Sequence, residues 1–128
     1  MFEYRKSSNV GNAPEIIQVP ANNATTYTIG QALFLSGGVA SACTGTNVPV
    51  YICAENKTAV TGDKISCYLV EKNQEYATEL TGSGSLTVGA KVTTDATGNK
   101  VTTTTTNGVA EVVEAFGTTS GSKVYVRF

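Results

Sequence analysis

The 128-residue sequence predicts an all-β fold: a small barrel or sandwich built from two similar four-strand halves and preceded by an extended N-terminal arm. Three observations predict it. After residue 28 the chain is a series of short β-prone runs separated by Gly, Asn and Thr. No window carries an apolar stripe at helical spacing; the best candidate, Glu71–Leu80, lacks one and is rich in Tyr and Thr, which favour strand. A five-residue pattern of Gly, a variable residue, Ala or Lys, and an apolar residue also recurs along the chain.

The elements follow in order. Residues 1–28 read as an arm, because Ser7, Ser8, Asn9, Gly11, Asn12, Pro14, Pro20, Asn22 and Asn23 interrupt every possible element and only Glu15–Val19 is strand-like. Residues 29–128 read as the β-domain. Its candidate strands are Ala32–Leu35, Val39–Ala42, Val50–Ala54, Lys64–Val70, Gln74–Glu79, Ala90–Thr94, Val101–Thr105, Val109–Phe116 and Ser122–Phe128. At the end of the chain Val124, Val126 and Phe128 alternate with Lys123, Tyr125 and Arg127, which gives one face to the core and the other to water or a partner. Asn107-Gly108 is a tight-turn signal and predicts a hairpin from Val101 to Phe116.

The recurring pattern is Ile29-Gly30-Gln31-Ala32-Leu33, Thr61-Gly62-Asp63-Lys64-Ile65, Val88-Gly89-Ala90-Lys91-Val92 and Ser120-Gly121-Ser122-Lys123-Val124, with its glycines 32, 27 and 32 residues apart. Laying Gly30–Val70 over Gly89–Phe128 pairs Val39 with Val101 and the run Val50–Cys53 with Val109–Val113. A turn that enters a strand at positive φ suits glycine and strains a residue with a Cβ. Two related sheets, neither able to bury its apolar face alone, are expected to close on each other.

Composition excludes several functions. At 13.3 kDa the chain is one domain. Nine Lys plus Arg against ten Asp plus Glu leave no basic excess to neutralise phosphates, so nucleic acid is not expected as a partner. Histidine is absent, which removes the usual general base, the His-activated nucleophiles and the commonest zinc ligand. No enzyme and no cofactor are therefore expected. Cys43, Cys53 and Cys67 have no C-x-x-C spacing and read as reduced core residues. The start Met1-Phe2-Glu3-Tyr4-Arg5-Lys6 is not a signal peptide and no apolar run is long enough to cross a membrane, so synthesis in a cytoplasm without Sec export or a membrane partner is expected. The Asn-x-Thr sequences at Asn23 and Asn56 are then chance matches.

Local motifs carry little chemistry. Glu71, Glu75 and Glu79 read as a solvated face rather than the paired carboxylates of a glycosidase. Thr61–Lys64 and Asp95–Asn99 lack the oxygen ligands of a calcium loop and read as turns, and Thr102–Thr106 reads as strand. Tyr4 with Arg5 and Lys6 forms a basic-aromatic cluster; with Phe2, Ile16 and Ile17 these are the candidate partner contacts.

On Gly30-Gln31-Ala32-Leu33-Phe34-Leu35-Ser36-Gly37-Gly38, on Pro49-Val50-Tyr51-Ile52 followed by Thr61-Gly62-Asp63-Lys64-Ile65, and on the closing Gly121-Ser122-Lys123-Val124-Tyr125-Val126-Arg127-Phe128, the chain resembles the small decoration, head-stabilising or cement proteins of tailed bacteriophages and prophages. The resemblance covers most of the chain after the arm. It implies a β-rich subunit without enzymatic activity, often a homotrimer, that binds the major capsid protein on the outside of the assembled head after synthesis in the host cytoplasm. The arm would add strand-like contacts to the shell. Two other readings remain: a carbohydrate-binding or adhesive β-module of a virion or cell surface, stacking sugars on Tyr, and a structural subunit of a tail or baseplate.

Overall fold

The computed structural model describes residues 1–7 and 14–128, and among them every regular element is a strand. The strands are β1 (Glu3–Ser7), β2 (Ile16–Pro20), β3 (Thr26–Tyr27), β4 (Ala32–Ser36), β5 (Val39–Ala42), β6 (Tyr51–Cys53), β7 (Lys57–Thr58), β8 (Lys64–Leu69), β9 (Gln74–Glu79), β10 (Lys91–Val92), β11 (Ala110–Ala115) and β12 (Lys123–Arg127). Two five-stranded antiparallel sheets run β1-β9-β12-β11-β10 and β2-β8-β6-β4-β5, and β3 pairs with β7. The class is therefore the expected all-β one. The architecture is sandwich-like, and no closed barrel forms among the described residues.

The expected duplication is present at the level of register. Val19 faces Ile65 as Thr78 faces Val124, and Ile17 faces Cys67 as Tyr76 faces Val126. Leu33 faces Tyr51 as Val92 faces Ala110. In every case the second pair lies 59 residues after the first, the separation of Gly30 and Gly89. The irregular hydrogen bonds repeat too: Ala21 N–H donates to Asp63 O at 2.9 Å and Leu80 N–H to Ser122 O at 2.9 Å. Gly30, Gly62, Gly89 and Gly121 all have φ between 79° and 89°, so the recurring glycine marks equivalent left-handed turns. The copies differ in the β3–β7 pair, which only the first has, and in one hairpin, where Gly37-Gly38 closes the first and Ala96–Asn99 the second, organised by Asp95 Oδ1, which accepts from the N–H groups of Thr97, Asn99 and Lys100.

Two expectations about strand neighbours are corrected. The duplicated unit is longer than Gly30–Val70, because it begins with β2, whose counterpart is β9; the first 28 residues are thus no arm. Phe2, Val19, Ala21 and Tyr27 are all buried. The prolines mislead because β2 lies at a sheet edge: Glu15 O accepts from Leu69 N–H, so alternate residues, Pro20 among them, turn their backbone away from β8 and the missing N–H interrupts no ladder. The strand addition expected of an arm occurs within the chain, where β1 adds to β9. The predicted Val101–Phe116 hairpin does not form either. Asn107-Gly108 does turn, with Asn107 at φ 54°, yet β11 pairs with β10 and β12, while the Thr run lies along Thr93, with Thr102 N–H on Thr93 O at 2.9 Å. Val101 makes only isolated bridges, to Thr94 and Leu80.

Each copy lines a core, and the second core also takes in Ala32, Cys43 and Ile52 of the first copy, so the two sheets pack on each other there. In the first, Val19, Leu33, Cys53, Ile65 and Cys67 pack with Tyr27 and Ala59. In the second, Val92, Val112, Val124 and Val126, at the positions equivalent to Leu33, Cys53, Ile65 and Cys67, pack with Tyr76, Leu80 and Val101. One parallel bridge in each copy, Ala21 to Ala40 in the first and Leu80 to Val101 in the second, links segments that are not neighbours in the sheets. Ala32 and Ile52 then carry the other face of the first sheet into the second core, with Phe2. Burying each such aliphatic side chain contributes about 1.5–3 kcal/mol. The cysteines are buried and free, as expected.

Candidate partner-binding surface

Strand β1 carries three of the six candidate contact residues, Tyr4, Arg5 and Lys6, and its pairing decides where each one points. Glu3 faces Ala77 and Tyr4 faces Tyr76, then the register shifts at a bulge between Tyr4 and Lys6. A bulge re-aims side chains. Tyr4 turns inward, edge-on to Tyr76 at 6.2 Å, and Arg5 turns outward over the ring of Tyr125 at 4.0 Å. Arg5 Nη1 donates to Glu75 Oε1 at 2.8 Å, and Lys6 Nζ lies 3.6 Å from Glu75 Oε2. On the other side of Tyr125, Phe116 stands edge-on at 4.9 Å and is 53 % exposed.

The sheet face is thus a row of Phe116, Tyr125, Arg5, Glu75 and Lys6. Next to it Arg127 Nη2 donates to Glu111 Oε1 at 2.9 Å, and Lys100 Nζ lies 2.7 Å from Glu79 Oε2. Those hydrogen bonds hold the Glu111 and Glu79 carboxyls below the usual carboxylate range and raise Arg127 and Lys100. Exposed pairs of this kind add little stability each. They do fix the orientation of charge on the face.

The other candidates separate from this row. Phe2 is a core residue at 2 % exposure, edge-on to Phe128 at 5.3 Å, with its N–H donated to Gly30 O at 2.7 Å, so its side chain faces the core and not the surface. Ile17 packs inward on the core of the first copy. Ile16 is 59 % exposed and, with Ile29 and Tyr68, edges a groove of about 510 Å³ between β1 and β2. Arg5 and Lys6 therefore meet Tyr125, Phe116 and Glu75, while Ile16 lies elsewhere. The alternation of Lys123, Tyr125 and Arg127 already signalled an outward face; that Arg5 would cover Tyr125 had no local signal.

The arrangement offers ion pairs, ring faces and ring edges for contact. Among the described residues no three His, Cys, Asp or Glu side chains come together to hold a metal, and no helix is long and apolar enough to cross a membrane. The chain matches no protein-family model and is not similar to any curated protein searched.

Proposed function

We propose that this chain is a virion structural protein, a decoration subunit of a tailed bacteriophage that binds the outside of the assembled head and stabilises it by bridging subunits of the major capsid protein. The working unit in this reading is a homotrimer without catalytic activity, with neither nucleic acid nor membrane as partner. The observation that supports it is the Arg5–Tyr125–Phe116 cluster beside Glu75, carried on paired strands. Arg and aromatic side chains are the usual anchors of protein interfaces. Held on a packed sheet, they avoid the ordering cost that an extended arm would meet on binding. A sugar-stacking role for Tyr125 is less well supported, because Arg5 lies over its ring.

Cosedimentation with purified, undecorated heads of the phage that encodes the chain tests the proposal. The wild-type chain is expected to pellet with heads, Arg5→Glu and Tyr125→Ala to bind at least about tenfold more weakly, and Ile16→Ser to bind like wild type. No binding by the wild type overturns the head as partner; unchanged binding by both surface variants overturns the surface. Light scattering of the free chain separates trimer from monomer.

A further inference from the structure

Cys53 and Cys67 face each other across β6 and β8, and the second copy supplies an internal control for what that position requires. The equivalent partners on β11 and β12 are Val112 and Val126, so packing alone is met by a pair of valines. The first copy places two thiols there instead, both at 0 % exposure.

The ladder places them at the closer kind of antiparallel pair. Ala54 N–H donates to Ser66 O at 2.9 Å and Val70 N–H to Val50 O at 2.9 Å, so the pairs flanking 53 and 67 are alternately the hydrogen-bonded ones and Cys53–Cys67 is a non-hydrogen-bonded pair. Such pairs bring Cα atoms to about 4.5 Å, within the range of roughly 4.4–6.8 Å that a disulfide spans. Cys53 Sγ also donates to Glu55 O at 3.1 Å.

The geometry points to Cys53 and Cys67 as a cross-strand disulfide site, closed by exchange with a low-molecular-weight disulfide and leaving Cys43 as the thiol. In the first step the Cys53 thiolate attacks one sulfur of the oxidant, forming a mixed disulfide and releasing one small thiolate. In the second, Cys67 gives its proton to solvent and attacks the Cys53 sulfur, releasing the second small thiolate. Two protein thiols lose two electrons and two protons in total, and the oxidant is reduced to two thiols. In the folded chain hydrogen bonding from Cys67 lowers the Cys53 thiol, and the same bond with burial raises Cys67; in the open chain the two thiols are equivalent and the steps run equally with their roles exchanged. Cys43 sits in the other core, its thiol pushed up to about 12 by burial.

Both sulfurs are sealed in the folded chain, so the oxidant reaches them while the chain is open. The test is to refold the full chain from denaturant in oxidised and reduced glutathione, then measure mass and count thiols under denaturing conditions. The expected product is lighter by about 2 Da, retains one thiol, yields a peptide linking Cys53 to Cys67, and melts roughly 5–15 °C higher than the reduced chain. Cys43→Ser is expected to oxidise in the same way. The double variant Cys53→Val with Cys67→Val, which copies the other half, is expected to fold and lose the oxidant-dependent shift. Three remaining thiols, a stable glutathione adduct, or a bridge involving Cys43 overturns the assignment.

Discussion

Ile52 and Glu111 occupy the same place in the two copies of the repeated unit, and Ile52 is buried at 1 % exposure while Glu111 is half-exposed and bonded to Arg127. Their neighbours follow suit: Ala32 and Tyr68 in the first copy correspond to Lys91 and Arg127 in the second. The face that carries the first copy into the second core is thus charged in the second copy, which ends the stacking as a polar cap ends a repeat array.

Exchanging these characters has unequal consequences. Ile52→Glu buries a carboxylate without a partner and is expected to destabilise the fold by more than about 3 kcal/mol, read as a collapse of the denaturation midpoint. Glu111→Ala removes an exposed pair and is expected to leave the midpoint nearly unchanged. The triple variant Lys91→Ala, Glu111→Ile, Arg127→Tyr recreates the first copy's apolar face and is expected to self-associate in sedimentation. A monodisperse triple variant contradicts the capping role.

The N-terminal strand belongs to the fold. Phe2→Ala is expected to cost about 3–5 kcal/mol in urea unfolding, and deletion of residues 1–28, which removes β1, β2 and β3, to leave a chain without a cooperative transition. A truncated chain that melts like the full one would restore the arm.

Glycine substitutions discriminate strain from collision. At Gly62, φ 86° is strained for any side chain but the space is open, so Gly62→Ala is expected to cost about 1–2 kcal/mol. A Cβ on Gly108 would stand 2.2 Å from Lys91 O, a backbone atom, so Gly108→Ala is expected to be the more damaging. Equal midpoints for the two variants would argue against that close approach.

Acid removes a small stabilisation that three surface carboxylates supply. The Glu79, Glu111 and Asp63 carboxyls lie below their unfolded values, because each accepts a hydrogen bond in the folded chain: from Lys100, from Arg127 and from the Val60 N–H. Their contribution is present above the unfolded carboxylate pKa of about 4 and is lost as pH falls through the lowered folded values. Thermal melts from pH 7 to pH 2 are expected to show Tm falling below about pH 4, with a shallower fall in Glu79→Gln with Glu111→Gln. An identical profile for that variant would remove those pairs from the acid response.

Much of this was legible in the sequence where the signal is local. β5 and β9 match their expected bounds, Val39–Ala42 and Gln74–Glu79, because strand formers there end at turn residues. The glycine spacing exposed the duplication because each turn needs the same positive φ. Pairing partners were not legible: Asn107-Gly108 reports a turn, but whether the segments beside it meet depends on β10, which precedes the Thr run and takes the place beside β11. Glu15–Val19 read as strand-like and forms β2, but Pro14 and Pro20 assigned it to an arm because a sequence does not say which strand is an edge. The contact row was half visible, since Tyr125 alternates outward on β12 while Arg5 arrives from the other end of the chain.

The most direct test of the functional account is the thermal disruption of undecorated heads with and without saturating chain, followed by release of packaged DNA. The account predicts a higher disruption temperature with wild-type chain and none of that gain with Tyr125→Ala. A disruption temperature that does not move when the wild-type chain is added would contradict it.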